Sequence, residues 1–143
     1  MKEGFMDYRQ MTAPCGLDCF NCPVYLARED EGLRTKISQN MGVPAEQARC
    51  QGCRDEKGKV PLFNMTEPCS IYKCTAEKGI DFCFQCSDFP CDHLHPYADK
   101  ASLLPHNTKV FNLCLIKKMG LEAWAETKAK SVKSKYFKGE FKL

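Results

Sequence analysis

The sequence predicts a small, mainly α-helical domain of irregular architecture, organised around clustered cysteines. Ten of the eleven cysteines lie between Cys15 and Cys91, in close-spaced groups. Apolar residues recur at helical spacing in several short segments, and there is no succession of strand–helix units. At 143 residues the chain fits one domain, and its hydrophobic share of 43% includes the cysteines. Without them the core is thin, so we expect the cysteines to supply folding energy in another way.

The N-terminal half has weak helical signals. Residues 1–14 are expected to form an extended lead-in. Pro23 suits the first turn of a helix over about 24–41, which Gly32 interrupts and Gly42 ends. A short helix over 44–48 follows.

The second half has clearer signals. Residues 70–78 predict a short helix that ends at Gly79, and another helix is expected over about 88–104. The apolar segments on either side of Gly120 predict a C-terminal helical hairpin over 107–130. Residues 131–143 lack a good helical pattern.

The cysteines have the spacing of metal ligands. A Cys-x2-Cys pair lets one bent turn present two sulfurs to a single ion at about 2.3 Å each. Three such pairs occur, and the full set is Cys15-x3-Cys19-x2-Cys22, Cys50-x2-Cys53, Cys69-x4-Cys74 and Cys83-x2-Cys86-x4-Cys91.

The cellular compartment decides between metal ligands and disulfides. The first residues contain no apolar run, and no stretch approaches the ~20 apolar residues that span a bilayer. We therefore expect a cytoplasmic protein, where cysteines are reduced. The odd total of eleven also fits a disulfide framework badly.

Local sequence supports two of the pairs as metal-binding turns. Gly52 precedes Cys53 and allows a positive φ, which points backbone N–H groups at the sulfurs. Asn21 holds the same place before Cys22, and asparagine tolerates that conformation. The pair of Cys83 and Cys86 has spacing alone.

Two tetrahedral sites need eight of the ten cysteines. We assign Cys19, Cys22, Cys50 and Cys53 to one zinc ion, and Cys74, Cys83, Cys86 and Cys91 to a second. Cys15 and Cys69 are then spare: they could replace a named ligand, bridge two ions, or join His93 or His95 in a third site. Cys114, among apolar neighbours, is expected to be a buried helix residue.

The net charge of +3 conceals two regions of opposite sign. Residues 128–143 hold six lysines and one glutamate, whereas residues 1–127 carry a net charge of −2. Each Zn²⁺ with four thiolates adds about −2. We therefore divide the chain into a cysteine-rich metal-binding domain over 1–127, which includes the hairpin, and a basic, flexible tail over 128–143.

The spacing Cys15-x3-Cys19-x2-Cys22 also matches the iron–sulfur motif of radical-SAM enzymes. Those enzymes need a large α/β barrel, which this sequence does not predict. Asn21 stands where that family usually has an aromatic residue, and seven further cysteines would be unexplained. An iron–sulfur centre nevertheless stays open, because thiolate sets alone do not separate it from zinc.

The combined pattern resembles a family of small cysteine-rich bacterial and archaeal proteins, grouped as a domain of unknown function and regarded as zinc-binding. The matching segments cover roughly residues 13–127: Cys15-Gly16-Leu17-Asp18-Cys19-Phe20-Asn21-Cys22-Pro23-Val24-Tyr25, Cys50-Gln51-Gly52-Cys53, Cys69-Ser70-Ile71-Tyr72-Lys73-Cys74, Cys83-Phe84-Gln85-Cys86-Ser87-Asp88-Phe89-Pro90-Cys91 and Met119-Gly120-Leu121-Glu122-Ala123-Trp124. The resemblance implies zinc and places all ten cysteines in the motif. It implies no activity.

We therefore expect a zinc-binding protein that acts as a structural or protein-interaction module, with zinc-knuckle turns and two, or three, thiolate-saturated ions. Saturated sites leave no position for water, so we expect no Lewis-acid chemistry, and the sequence identifies no enzymatic activity and no small-molecule substrate. Since no stretch is long and apolar enough to span a bilayer, we also expect no membrane partner. One alternative is an iron–sulfur or zinc-thiolate enzyme that uses Cys15 or Cys69 as nucleophile. The other is binding of single-stranded nucleic acid through the lysine tail, which the acidic body disfavours.

Overall fold

The structure, a computed structural model, describes residues 6–143 and is mainly helical, as predicted. No β-strand occurs in that range. The α-helices are α1 Tyr8–Met11, α2 Pro23–Leu26, α3 Glu31–Met41, α4 Ser70–Lys78, α5 Lys109–Met119, α6 Leu121–Thr127 and α7 Ala129–Lys138. Short 3₁₀ turns connect them: Cys19–Asn21, Ala27–Glu29, Ala45–Gln47, Pro61–Phe63, Cys83–Gln85, Asp92–Leu94 and Pro105–Thr108. No helix of the described residues is long and apolar enough to cross a bilayer.

The N-terminal segment before Cys15 is partly helical, whereas the sequence predicts an extended segment there. Residues 1–5 lie outside the described range, but α1 forms behind Asp7, whose side chain accepts the Gln10 N–H at 3.3 Å. Tyr8 on α1 packs its ring 5.1 Å from that of Phe20. The helix is thus fixed by a cap, by an aromatic contact and by side-chain bonds from Arg9 to Asp81 and from Gln10 to Asp55, none of which gives a periodic pattern.

The predicted helix over 24–41 is split at Asp30. Pro23 begins α2 as expected, and Gly42 ends α3 in the left-handed region at φ 66°. Asp30 ends the helical segment that begins with α2, because its backbone is extended. Its side chain accepts the Leu33 N–H at 3.0 Å and so caps a new helix, α3. Gly32 lies inside the first turn of α3 and breaks nothing.

Of the two helices predicted in the middle of the chain, one is confirmed. α4 has the predicted bounds and ends at Gly79, with φ 67°. The prediction of a helix over 88–104 is wrong, since only Asp92–Leu94 forms a 3₁₀ turn there. His95 is extended because it precedes Pro96, and a residue before proline disfavours the helical region.

The C-terminal hairpin is confirmed. Gly120, with φ 93° and ψ 154°, separates α5 from α6. Leu113 and Trp124 are fully buried between the two helices and the cysteine-rich region. The Trp124 ring meets Phe20 edge-on, with centroids 5.9 Å apart. The hairpin therefore closes the core on the side of the first cysteines.

Residues 129–138 are helical, so the expectation of no helix in 131–143 is wrong up to Lys138. Ala129 is buried, and Val132 and Tyr136 are partly buried one and two turns further along. This spacing is a helical face, although the lysines between these residues obscure it. The division of the chain between 127 and 128 stays a prediction.

Asn112 connects the hairpin to the first cysteine loop. Its side chain is 1% exposed; its Nδ2 donates to the Gly16 carbonyl at 2.9 Å, and its Oδ1 accepts from Trp124 Nε1 at 3.2 Å. Both partners are buried. One amide thus satisfies two polar groups that would otherwise lose their hydrogen bonds on folding.

We predict that Asn112→Leu lowers the free energy of unfolding by about 2–4 kcal/mol, because it leaves a buried carbonyl and a buried indole N–H unpaired. Urea denaturation followed by circular dichroism measures the change. Asn40→Leu, at an exposed position of α3, is the control and should change stability by at most about 0.5 kcal/mol. Equal effects of the two substitutions would contradict the bridging role.

A buried ion pair fastens α7 to the same loop. Lys133 Nζ lies 2.9 Å from Asp18 Oδ1, and the two side chains are 18% and 2% exposed. Asp18 also accepts from Asn21 Nδ2 at 2.8 Å. A buried carboxylate that loses its cation is strongly destabilising, even where the intact pair adds little net stability.

Lys133→Met is expected to lower the free energy of unfolding by about 3 kcal/mol, because it leaves the buried Asp18 carboxylate without a cation. Lys130→Met, an exposed site on the same helix, should cost no more than about 0.5 kcal/mol. Thermal and urea denaturation of the two variants side by side give the comparison. Indistinguishable stabilities would mean that α7 does not depend on the ion pair.

Candidate metal centre

The first cysteine turn is pressed against α5. Gly16 has φ 92°, and a Cβ built there would lie 2.9 Å from Leu113 Cγ, so only glycine fits. Burial raises the pKa of the neighbouring Cys15 thiol, and the backbone N–H of Leu17 opposes that rise. Cys15 itself is buried.

The turn between Cys19 and Cys22 differs from the expectation for Asn21. It is a single 3₁₀ turn in which the Cys22 N–H donates to the Cys19 carbonyl at 2.9 Å. Asn21 does not adopt a positive φ. Its side chain instead bonds Asp18, which ties this turn to the buried ion pair with Lys133.

The turn between Cys50 and Cys53 has the predicted geometry. Gly52 has φ 101°, and its N–H donates to Cys50 Sγ at 3.3 Å. Burial raises the pKa of the Cys19 thiol, and the backbone N–H of Cys53 opposes that rise. The turn of Cys50 and Cys53 therefore lies close to Cys19, which is assigned to the same ion.

Cys69 comes to this same region. As predicted it stands at a helix N-terminus, capping α4, and its N–H donates to the Gly58 carbonyl at 2.8 Å. The Gly58 N–H donates to the Cys53 carbonyl at 2.9 Å. Two backbone hydrogen bonds thus hold Cys69 beside Cys53.

Six cysteines form what we call the first cysteine group: Cys15, Cys19, Cys22, Cys50, Cys53 and Cys69. Burial is the largest effect on their thiols and raises the pKa of Cys15 and of Cys50 to about 12. Neighbouring thiolates add to the rise: the charge of Cys69 raises the pKa of Cys15 and Cys53. The ten clustered cysteines therefore divide into a group of six and a group of four.

The other four form the second cysteine group: Cys74, Cys83, Cys86 and Cys91. All of them line one cavity of about 350 Å³. α4 supplies Cys74, a 3₁₀ turn spans Cys83 to Cys86, and Cys91 precedes a further short turn. These are the four residues assigned to the second ion.

The two histidines considered as fallback ligands lie in different places. His93 lines the same cavity and is 3.4 Å from Ser70 Oγ through its Nδ1. His95 does not line it, and its Nδ1 is 2.7 Å from the Pro96 carbonyl. His93 is therefore the histidine in reach of the second cysteine group.

Lys78 is a functional candidate that the sequence analysis missed. Its Nζ lies 2.9 Å from Cys86 Sγ, which also accepts the Asp88 N–H at 3.3 Å. These two hydrogen bonds, the lysine first, lower the pKa of the Cys86 thiol, whereas burial raises that of Cys83 to about 11. The signal available in the sequence was a lysine four residues after Cys74, one helical turn along α4.

Cys114 is exposed, so the expectation of a buried residue is wrong. The neighbours Leu113 and Ile116 face the core, and a helix turns about 100° per residue, which points Cys114 away from them. It belongs to neither cysteine group.

The sulfurs of neither cysteine group are drawn to a common point. Among residues 6–143, no three histidine, cysteine or acidic side chains stand together at separations that could hold an ion. Whether the ten cysteines are ligands therefore stays a prediction, supported by their hydrogen bonds and their chemistry.

The lysine-rich end of the chain borders a second cavity, of about 420 Å³, between α5 and α7. Lys128 and Lys135 line it together with Phe111 and Tyr136. No cysteine lies on this cavity. Basic and aromatic side chains do meet here, as the nucleic-acid alternative supposes, but the Tyr136 hydroxyl is buried.

These features define a small, mainly helical cysteine-rich domain with backbone turns directed at sulfur. Comparison with family models then shows that the chain belongs to the family described as "Protein of unknown function (DUF3795)", whose model matches residues 11–96. The match contains all ten clustered cysteines and excludes the hairpin, which the resemblance had included. Comparisons with curated proteins and with solved structures gave no match.

Gly52→Ala should destabilise the protein by about 1–2 kcal/mol, because φ 101° is strained for any residue with a Cβ. Gly32→Ala is the matched control: Gly32 is helical, and its nearest neighbour to an added Cβ is 3.6 Å away, so the change is neutral or gains up to about 1 kcal/mol. Thermal denaturation separates the two. A neutral Gly52→Ala would contradict the turn.

Proposed function

We propose that the protein binds zinc through its cysteine thiolates and serves as a structural or protein-interaction module. The observation that carries this proposal is the donation of backbone N–H groups to the sulfurs of Cys50 and Cys86, at 3.3 Å each. Cysteines that merely fill a core need no such donors. Thiolates do, because hydrogen bonds to the charged form stabilise it.

The chemistry of the thiols fits a bound cation. Burial raises the pKa of Cys15 and Cys50 to about 12 and that of Cys83 to about 11, so these groups stay protonated at neutral pH on their own. A divalent ion reverses this balance and deprotonates a coordinating thiol outright. Buried thiols whose sulfurs accept hydrogen bonds are therefore suited to bind zinc, and zinc binding would release their protons.

We assign the ions as the spacing suggests. Cys19, Cys22, Cys50 and Cys53 would hold one zinc, and Cys74, Cys83, Cys86 and Cys91 the other. Each set is tetrahedral and saturated with thiolate, which is the pattern of structural zinc rather than of a hydrolytic centre. Cys15 and Cys69 both lie in the first cysteine group, where a further ion sharing its thiolates would use them.

The helices support a structural role for the metal. α3 buries no side chain fully, and α2 is only four residues long. Each structural zinc contributes about 10–16 kcal/mol of folding free energy, against a typical total stability of about 5–15. The bound ions would supply folding free energy that a hydrophobic core built from such short helices cannot provide. A protein partner, rather than a small substrate, suits a module whose metal sites are saturated.

The test is native mass spectrometry on protein purified without oxygen. We predict two zinc ions per chain, loss of one in Cys83→Ser and of one in Cys53→Ser, and full retention in Cys114→Ser, the control at an exposed position outside both groups. Complete chelation should abolish the helical circular dichroism signal.

Three outcomes would change the account. Circular dichroism that survives complete metal removal would contradict the structural role. Iron with absorbance near 400 nm would replace zinc by an iron–sulfur centre. Three zinc ions would assign Cys15 and Cys69 as ligands of a third site.

A further inference from the structure

The side chain of Arg54 joins segments of both cysteine groups. Arg54 follows Cys53 directly and is partly buried. Its Nε donates to the Thr12 carbonyl at 2.9 Å, and its Nη2 donates to the Asp81 carbonyl at 2.6 Å. Thr12 is buried three residues before Cys15. Three parts of the chain that are far apart in the sequence therefore meet at one guanidinium.

The Asp81 carbonyl belongs to the backbone that enters the second cysteine group. Phe82, between Asp81 and Cys83, is buried, and the Arg54 guanidinium carbon lies 5.0 Å from its ring centroid, within cation–π distance. Gln85 lies inside the first turn of this group, and its Oε1 accepts the N–H groups of Asp81 and Phe82 at 2.8 and 3.0 Å. Hydrogen bonds thus connect Arg54 to the Cys83 turn without a break.

Arginine chemistry suits this position. The planar guanidinium holds its N–H donors in a fixed arrangement, so it can bind two carbonyls from different segments in one geometry. A lysine ammonium also donates, but its flexible stem does not fix two partners relative to each other. The charge strengthens both contacts, since charge-assisted hydrogen bonds are roughly twice as strong as neutral ones. Arg54 therefore sets the distance between the backbone segments that it binds.

We propose that Arg54 is a positioning residue that couples the two proposed zinc sites, so that zinc binding at one site favours zinc binding at the other. The inference rests on the proposed function. A zinc ion bound by Cys53 fixes the backbone of Arg54, and hence the two carbonyls that Arg54 holds. The second set of cysteines then closes on its ion with less conformational freedom left to lose. By thermodynamic linkage the effect is reciprocal.

Two competing explanations have a basis in the structure. The first is that α4 alone links the two groups, because Cys69 caps this helix and Cys74 lies on it. A rigid helix can carry coupling without any arginine. The second is that Arg54 acts only as a positive charge beside Cys53, which would affect the first cysteine group. Substitutions that separate the charge from the paired donors distinguish these explanations from the proposal.

The experiment withdraws zinc from the intact protein with a competing chelator and counts chains with no, one and two ions by native mass spectrometry. The ratio of the second stepwise binding constant to the first measures the coupling. Arg54→Met removes both donors, and Arg54→Lys keeps the charge but not the planar fork. Arg49→Met, exposed beside Cys50, removes the same charge next to the same cysteine pair and is the control. We expect the ratio to fall by about 5–150-fold in both Arg54 variants, with accumulation of singly loaded chains, and to stay unchanged in the control.

Each other outcome is decisive. A wild-type ratio in Arg54→Met would overturn the proposal and leave the coupling to α4, and a wild-type ratio in Arg54→Lys alone would assign the effect to charge. Failure of both variants to bind any zinc would assign Arg54 to folding as a whole and overturn the proposal too. If only Arg54→Met fails to fold, a lowered ratio in Arg54→Lys supports it. Wild-type protein that binds two ions independently would overturn the coupling alone, whereas wild-type protein without zinc would overturn the proposed function itself.

Discussion

The hydrogen bond from a backbone N–H to a cysteine sulfur is the interaction on which the rest of this structure depends. It occurs at Cys50 and at Cys86, each time from the residue two places further along the chain. The turn at Cys50 is short, and Gly52 adopts a positive φ to allow the bond. Helices placed between such turns need no large apolar face of their own, because the turns fix their ends.

The C-terminal helices buttress this cysteine-rich region instead of forming a separate unit. Asn112 donates to the Gly16 carbonyl, and Lys133 pairs with Asp18. Two polar side chains, one from α5 and one from α7, thus reach the loop of the first cysteines. The acidic body and the basic C-terminal segment are electrostatic partners at least at this one contact.

Features with a local cause could be predicted from the sequence. Pro23, Gly42, Gly79 and Gly120 act on their immediate neighbours, and the helix boundaries they imply are confirmed. Features with a tertiary cause could not: α7 depends on packing of Ala129, and the division of the cysteines into six and four depends on the bonds through Gly58 that bring Cys69 to Cys53. Spacing alone suggested both sets of proposed ligands, but not that Lys78 lies beside Cys86.

X-ray absorption spectroscopy at the zinc edge tests the central claim most directly, because it counts the ligand atoms of the bound metal. The account predicts a single shell of four sulfur atoms per zinc at about 2.3 Å, with no contribution from nitrogen or oxygen. A shell of nitrogen or oxygen at about 2.0–2.2 Å, or the absence of zinc from protein purified without oxygen, would contradict it.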